Sequence, residues 1–578
     1  MNPAVSTSSL GNRTAPFPAA GRSQAPGGRN GYRRGVRAGV ALLLLAPALW
    51  ACGEDTPPHQ GTSAAPAGEA PELYPHHGHA GTPARSPRGM VVSAKPLATE
   101  VGAWVLEEGG NAVDAAVATA LALTVVEPSM SSIGGRTQIL VRNPEGDIHA
   151  LDGGNEVVAG YDPSLVPDTP DPSMGYGTVA IPGTVAALAQ ALERWGTWSF
   201  ERAVEPAARL AEEGFILTDG QGVRWEAAAP YLALSSGGAT HFLRADGTPY
   251  RGGERFRQPA LAATLRMLAR EGPEAFYRGE MARAIAQDVA SNGGFLSAED
   301  MAEYRVLTSQ VVTRRYRTVE VVGSDLPASG AWVGRILELV EDETPEGFGV
   351  GGAPPVGSAP WAGVLARALL AGFDERDRAW ADAVDEPAHT THLSVADGEG
   401  RLVALTQSIG PAFGSHVAHP EFGFLYASTQ GYLVSEPGSR PFSSMSPLFI
   451  LENGEPTWVL GGAGARRIVS AMVTVLSRGI DGGDSLEEAM AAPRFHALGG
   501  PEIRLEERSG ARWGEAAREQ LSYAGFQVST SEVPDFFARL HAIRWDAVAG
   551  EWVGVADPRR VGSARGPQPA PEAPSTAR

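Results

Sequence analysis

The chain has 578 residues, 43% of them apolar, enough to bury a large core. Its 66 acidic against 47 basic residues leave a formal net charge of −19, which argues against nucleic-acid binding, since that asks for clustered positive charge. A lone cysteine, Cys52, excludes an internal disulfide and a cysteine-built metal site, and neither cofactor nor metal is expected.

Residues 1–30 are rich in Ser, Gly, Ala and Pro without periodicity and read as a leader extension. Arg33, Arg34 and Arg37 then precede an apolar run from Val40 to Trp50, too short to span a bilayer comfortably. A basic start, a short apolar stretch and a small residue before a cut describe a secretory signal. The stretch "LWAC" resembles a bacterial lipobox, with Leu49 three positions before Cys52 and Ala51 just ahead of it. The expectation is a signal over 1–51, lipidation of Cys52, and a lipoprotein anchored to a membrane and facing the periplasm or the outside. A plain signal peptide with an incidental cysteine is the alternative. Residues 52–87, rich in Pro, Gly and Ala, read as a flexible tether, and the histidines of "PHHGHAG" within it as solvated.

The ordered body is expected over 88–561. "GMVVSAKPLATEVGAWVLEEGG" reads as a strand and then a helix ending at Gly109-Gly110. A second helix starts at Asn111, and its run of Ala, Leu and Val marks it as buried. "GGRTQILVRNPEGDIHALDGG" reads as a hairpin turning at Asn143–Gly146. Residues 180–310 are mostly helical, and Thr391 to about Leu460 is expected to be rich in strands. Two helices follow, then strands in "FFARLHAIRWDAVAGEWVGVAD", and residues 562–578 read as a disordered tail. Helices, sheet and helices again suggest helices packed over stacked sheets.

The stretch "PAHTTHLSVADGEGRLVALTQSIG" carries the chemistry. A four-residue loop at Asp397–Gly400 would pair Ala396 with Arg401 and bring Thr390 opposite Gln407, with Ser408 one residue away. A threonine hydroxyl is a weak nucleophile until a base takes its proton. A free α-amino group on the same residue, with an ordinary pKa near 8, can be that base. It exists only if the bond before the threonine is broken. The same hydroxyl can break that bond by attacking the carbonyl of His389. "TWVLGGAGARRIVSAMV" offers a strand, a glycine-rich turn and a helix, whose backbone N–H groups could hold an oxyanion. A dinucleotide loop is the rival reading of that turn. It is disfavoured because Arg467 stands where the third glycine of GxGxxG belongs.

With "GGNAVDAA", "AIPGTVAAL", "GPEAFYRGEMARAIA", "TTHLSV", "RPFSSMSP" and "APRFH", the body resembles the γ-glutamyltranspeptidases, which are self-cleaving N-terminal nucleophile hydrolases. The resemblance implies a four-layer αββα sandwich of α+β class, built from a large subunit (88–389) and a small subunit (390–561) that stay paired. It implies cleavage between His389 and Thr390, Thr390 as nucleophile, and Ser408 as the assisting hydroxyl. It further implies an oxyanion hole at Gly464 and Ala465, and Ser443 and Ser444 as binders of the donor carboxylate.

The departures concern the donor. The family's arginine clamp falls on Gly154 or Asn155, and the stretch that carries its amine-binding aspartate reads Ala427–Leu433, with Tyr432 in place of the acid. Gly410 stands where an asparagine is expected, and Arg136 breaks the glycine run of the first hairpin. The expected function is therefore amide hydrolysis or acyl transfer on a small-molecule or peptide donor other than standard glutathione. One alternative is a true γ-glutamyl enzyme with relocated contacts, Arg136 and Asn155 among them. The other is an inactive, peptide-binding surface lipoprotein.

Overall fold

The hairpin around Asp397 lies at the middle of a seven-stranded antiparallel sheet. Across this first sheet the strands run Ser563–Arg565, Gly89–Ser93, Thr390–Asp397, Leu402–Ser408, Arg136–Arg142, Ile148–Gly153 and Leu307–Ser309. The computed structural model describes residues 82–166, 171–325, 327–379, 389–431, 435–533 and 536–568. The expectations for Cys52, the signal and Tyr432 fall outside them.

A second seven-stranded sheet orders Ala84–Ser86, Glu551–Ala556, Arg539–Asp546, Glu455–Ala463, Leu448–Glu452, Val319–Ser324 and Val311–Tyr316. Side chains alternate faces along each strand, so one sheet feeds two cores. Leu393, Val395, Val403, Leu405, Ile139 and Val141 pack on the helix side against Pro96–Glu107, Ala112–Val126 and Thr184–Trp195. Met90, Val92, Leu140, Ala396, Ala404, Phe449, Val459 and Ile543 fill the space between the sheets. Helices Gly330–Glu343, Ala359–Ala379 and Arg467–Asp481 cover the outer face of the second sheet. The result is the expected αββα order of layers.

The second helix begins where the sequence places it. Asn111 caps it, its side chain accepting from the N–H groups of Val113 at 2.8 Å and Asp114 at 3.1 Å. Asp114 accepts in return from the Asn111 N–H at 2.8 Å, a reciprocal cap worth about 1 kcal/mol. Every residue from Ala112 to Val126 is buried, as its composition requires.

Four expectations need correction. The hairpin pairs Ala396 with Leu402, not with Arg401. The Asp397 carboxylate accepts from the N–H groups of Glu399 at 2.9 Å and Arg401 at 3.0 Å, and Gly400 turns at φ +85°. This Asx turn takes one more residue into the loop and slides the register by one. The tether ends before residue 87, because Ala84–Ser86 pairs with Glu551–Ala556. The tail starts after 562, because Ser563–Arg565 pairs with Gly89–Ser93. Between Ser408 and Leu448 the described residues form no strand, only single bridges such as Gly134 to Tyr426, in a stretch punctuated by Gly and Pro.

Candidate active site

The one-residue slide places Thr390 directly opposite Ser408, and Ser408 directly opposite Arg136 on the next strand. Residues in register on neighbouring strands share a face, so these three stand in one row across the sheet. The face is the one turned to the second sheet. His392, two residues on from Thr390, has its ring where a Cβ on Gly461 would come within 2.3 Å of it. Thr391 belongs to the opposite face. Its neighbour in register, Gln407, donates to the Ala120 carbonyl of the buried helix at 2.9 Å. The Thr391 hydroxyl is buried without a hydrogen bond among the described residues.

Ser408 links the Thr390 hydroxyl to the peptide bond before it. Its hydroxyl donates to the His389 carbonyl oxygen at 3.2 Å and lies 3.4 Å from the Thr390 hydroxyl, which donates toward it. It also accepts from the Gly410 N–H at 3.1 Å. The His389 N–H donates to the Gly410 carbonyl at 3.0 Å, so the bond before Thr390 is clamped from both sides. Gly410 stands at φ +84°, and a Cβ there would come within 2.7 Å of the Ser428 carbonyl. That close approach is a physical reason for glycine at this position. The His389 ring is held neutral, its pKa pulled down to about 3 by burial and then by Arg539, Arg224, Arg467 and Arg560.

The glycine-rich turn falls at the same end of the facing sheet. The strand Glu455–Ala463 stacks on the strand Thr390–Asp397, and Ala463 lines a cavity together with Thr390. Gly464 at φ +138° and Ala465 at φ +56° follow, and the helix Arg467–Asp481 starts at once. The positive end of that helix favours negative charge beside the turn. Arg467 Nε donates to the Gly464 carbonyl at 2.9 Å and fixes the turn. Alanine in the left-handed region carries roughly 1–2 kcal/mol of strain.

The donor-binding candidates are divided. Ser443 lies in the approach to the strand Leu448–Glu452, its N–H donating to the Pro327 carbonyl at 2.8 Å and its carbonyl accepting from the Ser329 hydroxyl at 2.7 Å. Ser444 Oγ accepts from Arg376 Nη1 at 3.4 Å, which puts a buried guanidinium beside the paired serines. Nothing in the motif "RPFSSMSP" points to Arg376, which comes from the helix Ala359–Ala379. Asn155 does not line an open site. Its amide donates to the carbonyls of Gly135 and Ile181 at 3.3 and 3.1 Å and accepts from Thr429 Oγ1 at 3.1 Å. At Gly154 a Cβ would meet Asp152 at 2.9 Å and Arg440 at 3.3 Å. Arg440 bridges Asp152 and Glu156 at 3.0 and 2.9 Å, so its charge is already neutralised. Among the described residues no three His, Cys, Asp or Glu side chains gather as a metal-binding group.

A sandwich of two antiparallel sheets between helical layers, with this threonine at the head of a central strand, is the fold of the N-terminal nucleophile hydrolases. The chain belongs to the γ-glutamyltranspeptidase family, whose model matches residues 98–353 and 363–566. It is 29% identical over 545 residues to the glutathione hydrolase proenzyme of Escherichia coli, covering 83% of this chain and 92% of that one. It is 33% identical over 483 residues to the acylase ACY 1 proenzyme of a Pseudomonas species, covering 74% and 85%. Cephalosporin acylase from Bacillus halodurans superposes with a TM-score of 0.75 at 25% identity, over 87% of this chain and all of that one. The chain is thus an amide hydrolase or acyltransferase of this family.

Proposed function

We propose that the chain cuts itself between His389 and Thr390, and that the freed Thr390 is the nucleophile for an amide donor other than a standard γ-glutamyl group. The observation that carries this reading is the Ser408 hydroxyl, within hydrogen-bond distance of both the Thr390 hydroxyl and the His389 carbonyl. Thr390 Oγ attacks the His389 carbonyl carbon while Ser408 donates to the oxygen as it gains charge. Breaking the C–N bond leaves an ester on Thr390 Oγ and a free α-amine, and water opens the ester. In turnover that amine takes the hydroxyl proton, the substrate acyl carbon bonds to the same oxygen as its amide C–N bond breaks, the departing amine leaves with the proton, and water or an acceptor amine then takes the acyl group. The N–H groups of the Gly464–Ala465 turn support the oxyanion.

The donor reading rests on what the site lacks. A γ-glutamyl group brings a carboxylate and an ammonium, and each needs a partner once dehydrated. Without the arginine at 154 or 155 and without the aspartate, the loss is on the order of 3–6 kcal/mol, about a hundredfold to ten-thousandfold in efficiency. The test is a panel of amide donors offered to the cut protein, with γ-glutamyl anilide among them. That anilide should be a poor donor. Efficient hydrolysis that Arg136→Ala weakens would favour the second reading, a γ-glutamyl enzyme clamped from the Arg136 row. A chain that stays whole and inert on every donor would leave only the peptide-binding alternative.

The lipid anchor at Cys52 belongs to the same proposal, motivated by the apolar run before it. One acyl chain binds a membrane only marginally, so a stable anchor needs more than one. Cys52→Ala should release the protein in soluble form after export. Wild-type protein that is soluble and carries no lipid by mass spectrometry would sink the idea.

A further inference from the structure

The strands Leu448–Glu452 and Glu455–Ala463 are antiparallel neighbours, with Leu448 opposite Leu460. The paired serines lead into the first and the Gly464–Ala465 turn closes the second, so both lie at one end of the second sheet. The helix Ala359–Ala379, which covers the outer face of that sheet, brings its last turn to the same place. Arg376 reaches the serines, its Nη1 donating to Ser444 Oγ at 3.4 Å. Asp377, the next residue, reaches the turn. Both of its carboxylate oxygens accept from Arg466 Nη2 at 2.6 Å, and Arg466 directly follows Ala465. The same carboxylate accepts from Arg376 Nε and Nη2 at 3.3 and 3.4 Å. One carboxylate thus joins two guanidiniums, one beside the serines and one beside the turn.

The bridge is held on more than one side. Arg376 is buried, and both guanidiniums lie over the ring of Phe373, at 5.2 and 5.5 Å from its centroid. The helix ends suit the charges, since a C-terminal end favours cations and an N-terminal end favours anions. Asp377 meets the start of the helix Arg467–Asp481 through Arg466, and Arg376 and Arg466 stand at the end of Ala359–Ala379. The bond from Arg467 to the Gly464 carbonyl holds the turn within its own segment, whereas Arg466 ties it to another helix. Removing the carboxylate takes away the anion that the two guanidiniums share, and like charges this close repel.

We propose that Asp377 is a positioning residue, which sets the Gly464–Ala465 turn through Arg466 and sets Ser444 through Arg376. It acts through the two arginines and not on the reacting atoms. The proposal rests on the turn being the oxyanion hole and on Ser444 meeting the donor, and it adds what holds the two in one frame. An oxyanion hole acts only in the transition state, so its misplacement lowers kcat. A serine that holds the donor in ground and transition state alike acts on KM.

Acetyl, phenylacetyl and γ-glutamyl anilides are offered to the cut wild-type protein, and the fastest of them serves as the probe. Asp377→Asn should lower kcat about tenfold to a hundredfold, the effect of a misplaced catalytic group, and raise KM about threefold to tenfold. Asp377→Glu keeps the carboxylate and should recover most of both. Double variants separate positioning from a general loss of structure. Combined with Ser444→Ala, the Asn substitution should still lower kcat but no longer raise KM. Combined with Arg466→Gln, it should still raise KM but no longer lower kcat. Wild-type kcat and KM in Asp377→Asn would overturn the proposal while leaving the nucleophile in place. So would effects that simply multiply in both double variants, or a Glu variant no better than Asn. Should Asp377→Asn not fold, Arg376→Lys and Arg466→Lys decide. The first should raise KM alone and the second lower kcat alone, and any other result overturns the proposal. A wild type that hydrolyses none of the anilides means that the reading of Thr390 has failed, and the role of Asp377 falls with it.

Discussion

The Thr390 hydroxyl shares a face with Ser408, while the Thr391 hydroxyl, one residue away, is turned into the helical layer. Thr390→Ala should therefore remain a single chain on a denaturing gel, while Thr391→Ala should still be cut. N-terminal sequencing of the smaller fragment should read Thr-Thr-His-Leu-Ser in wild type. Cleavage that persists in Thr390→Ala would remove Thr390 from its role. Ser408→Ala loses a donor to the His389 carbonyl, the oxyanion of the proposed self-cleavage, a loss typically worth about a hundredfold or more in rate. A time course of precursor disappearance should show that slowing, and Ser408→Thr should restore most of the rate because it keeps the hydroxyl.

At the scale of elements, the hairpin was legible as two strands with a turn, but its register was not. The loop length depended on whether the Asp397 carboxylate would collect the N–H groups of Glu399 and Arg401, a local contest that alternation of apolar residues does not settle. The glycine run Gly461-Gly462 was legible only as a turn signal. In the fold Gly461 lies within its strand and makes room for the His392 ring, which is fixed by contacts of 2.7 Å to Thr406 and 3.1 Å to Ser394. Gly461→Ala brings a Cβ within 2.3 Å of that ring and should cost about 1–3 kcal/mol, read as a lower urea midpoint. An unchanged midpoint would mean that the two sheets yield more easily than this packing implies. Ala465→Gly should relieve the left-handed strain and be neutral or stabilising in the same assay.

At the scale of the molecule, buried histidines tie stability to pH. Burial pulls His416 and His419 down to about 4, His496 and His541 to about 3, and His392 well below its ordinary 6.5. Above pH 6.5 folded and unfolded chains both carry these rings neutral, and they add no pH dependence. Between 6.5 and about 3–4 only the unfolded chain takes up the protons, so stability falls as the pH falls. Each such ring contributes a slope of about 1.4 kcal/mol per pH unit once the unfolded form is fully protonated. The urea midpoint should therefore drop steeply between pH 6 and 4, and His541→Asn should make the drop shallower. A midpoint flat over that range would show that the rings are protonated in the fold.

Composition and local pattern by themselves determined the fully buried second helix with its Asn111 cap, the two hairpins, and the threonine with a hydroxyl one strand away. Each of these depends on neighbours in sequence or on a single turn. The family motifs carried the layered fold in the same way, because they mark the positions where strand, turn and helix meet. Only the tertiary structure decided the rest. It set Arg136 in the row of Thr390 and Ser408, brought Arg376 to Ser444, and turned the amide of Asn155 inward. It also gathered Lys95, Arg224, Arg539 and Arg560 around one cavity, although 465 positions separate the first from the last. A charge in a sequence has no location until the chain folds, and in an acidic chain four scattered cations give no local signal. Their meaning comes from the low-dielectric space they share, and the packing of two sheets creates that space.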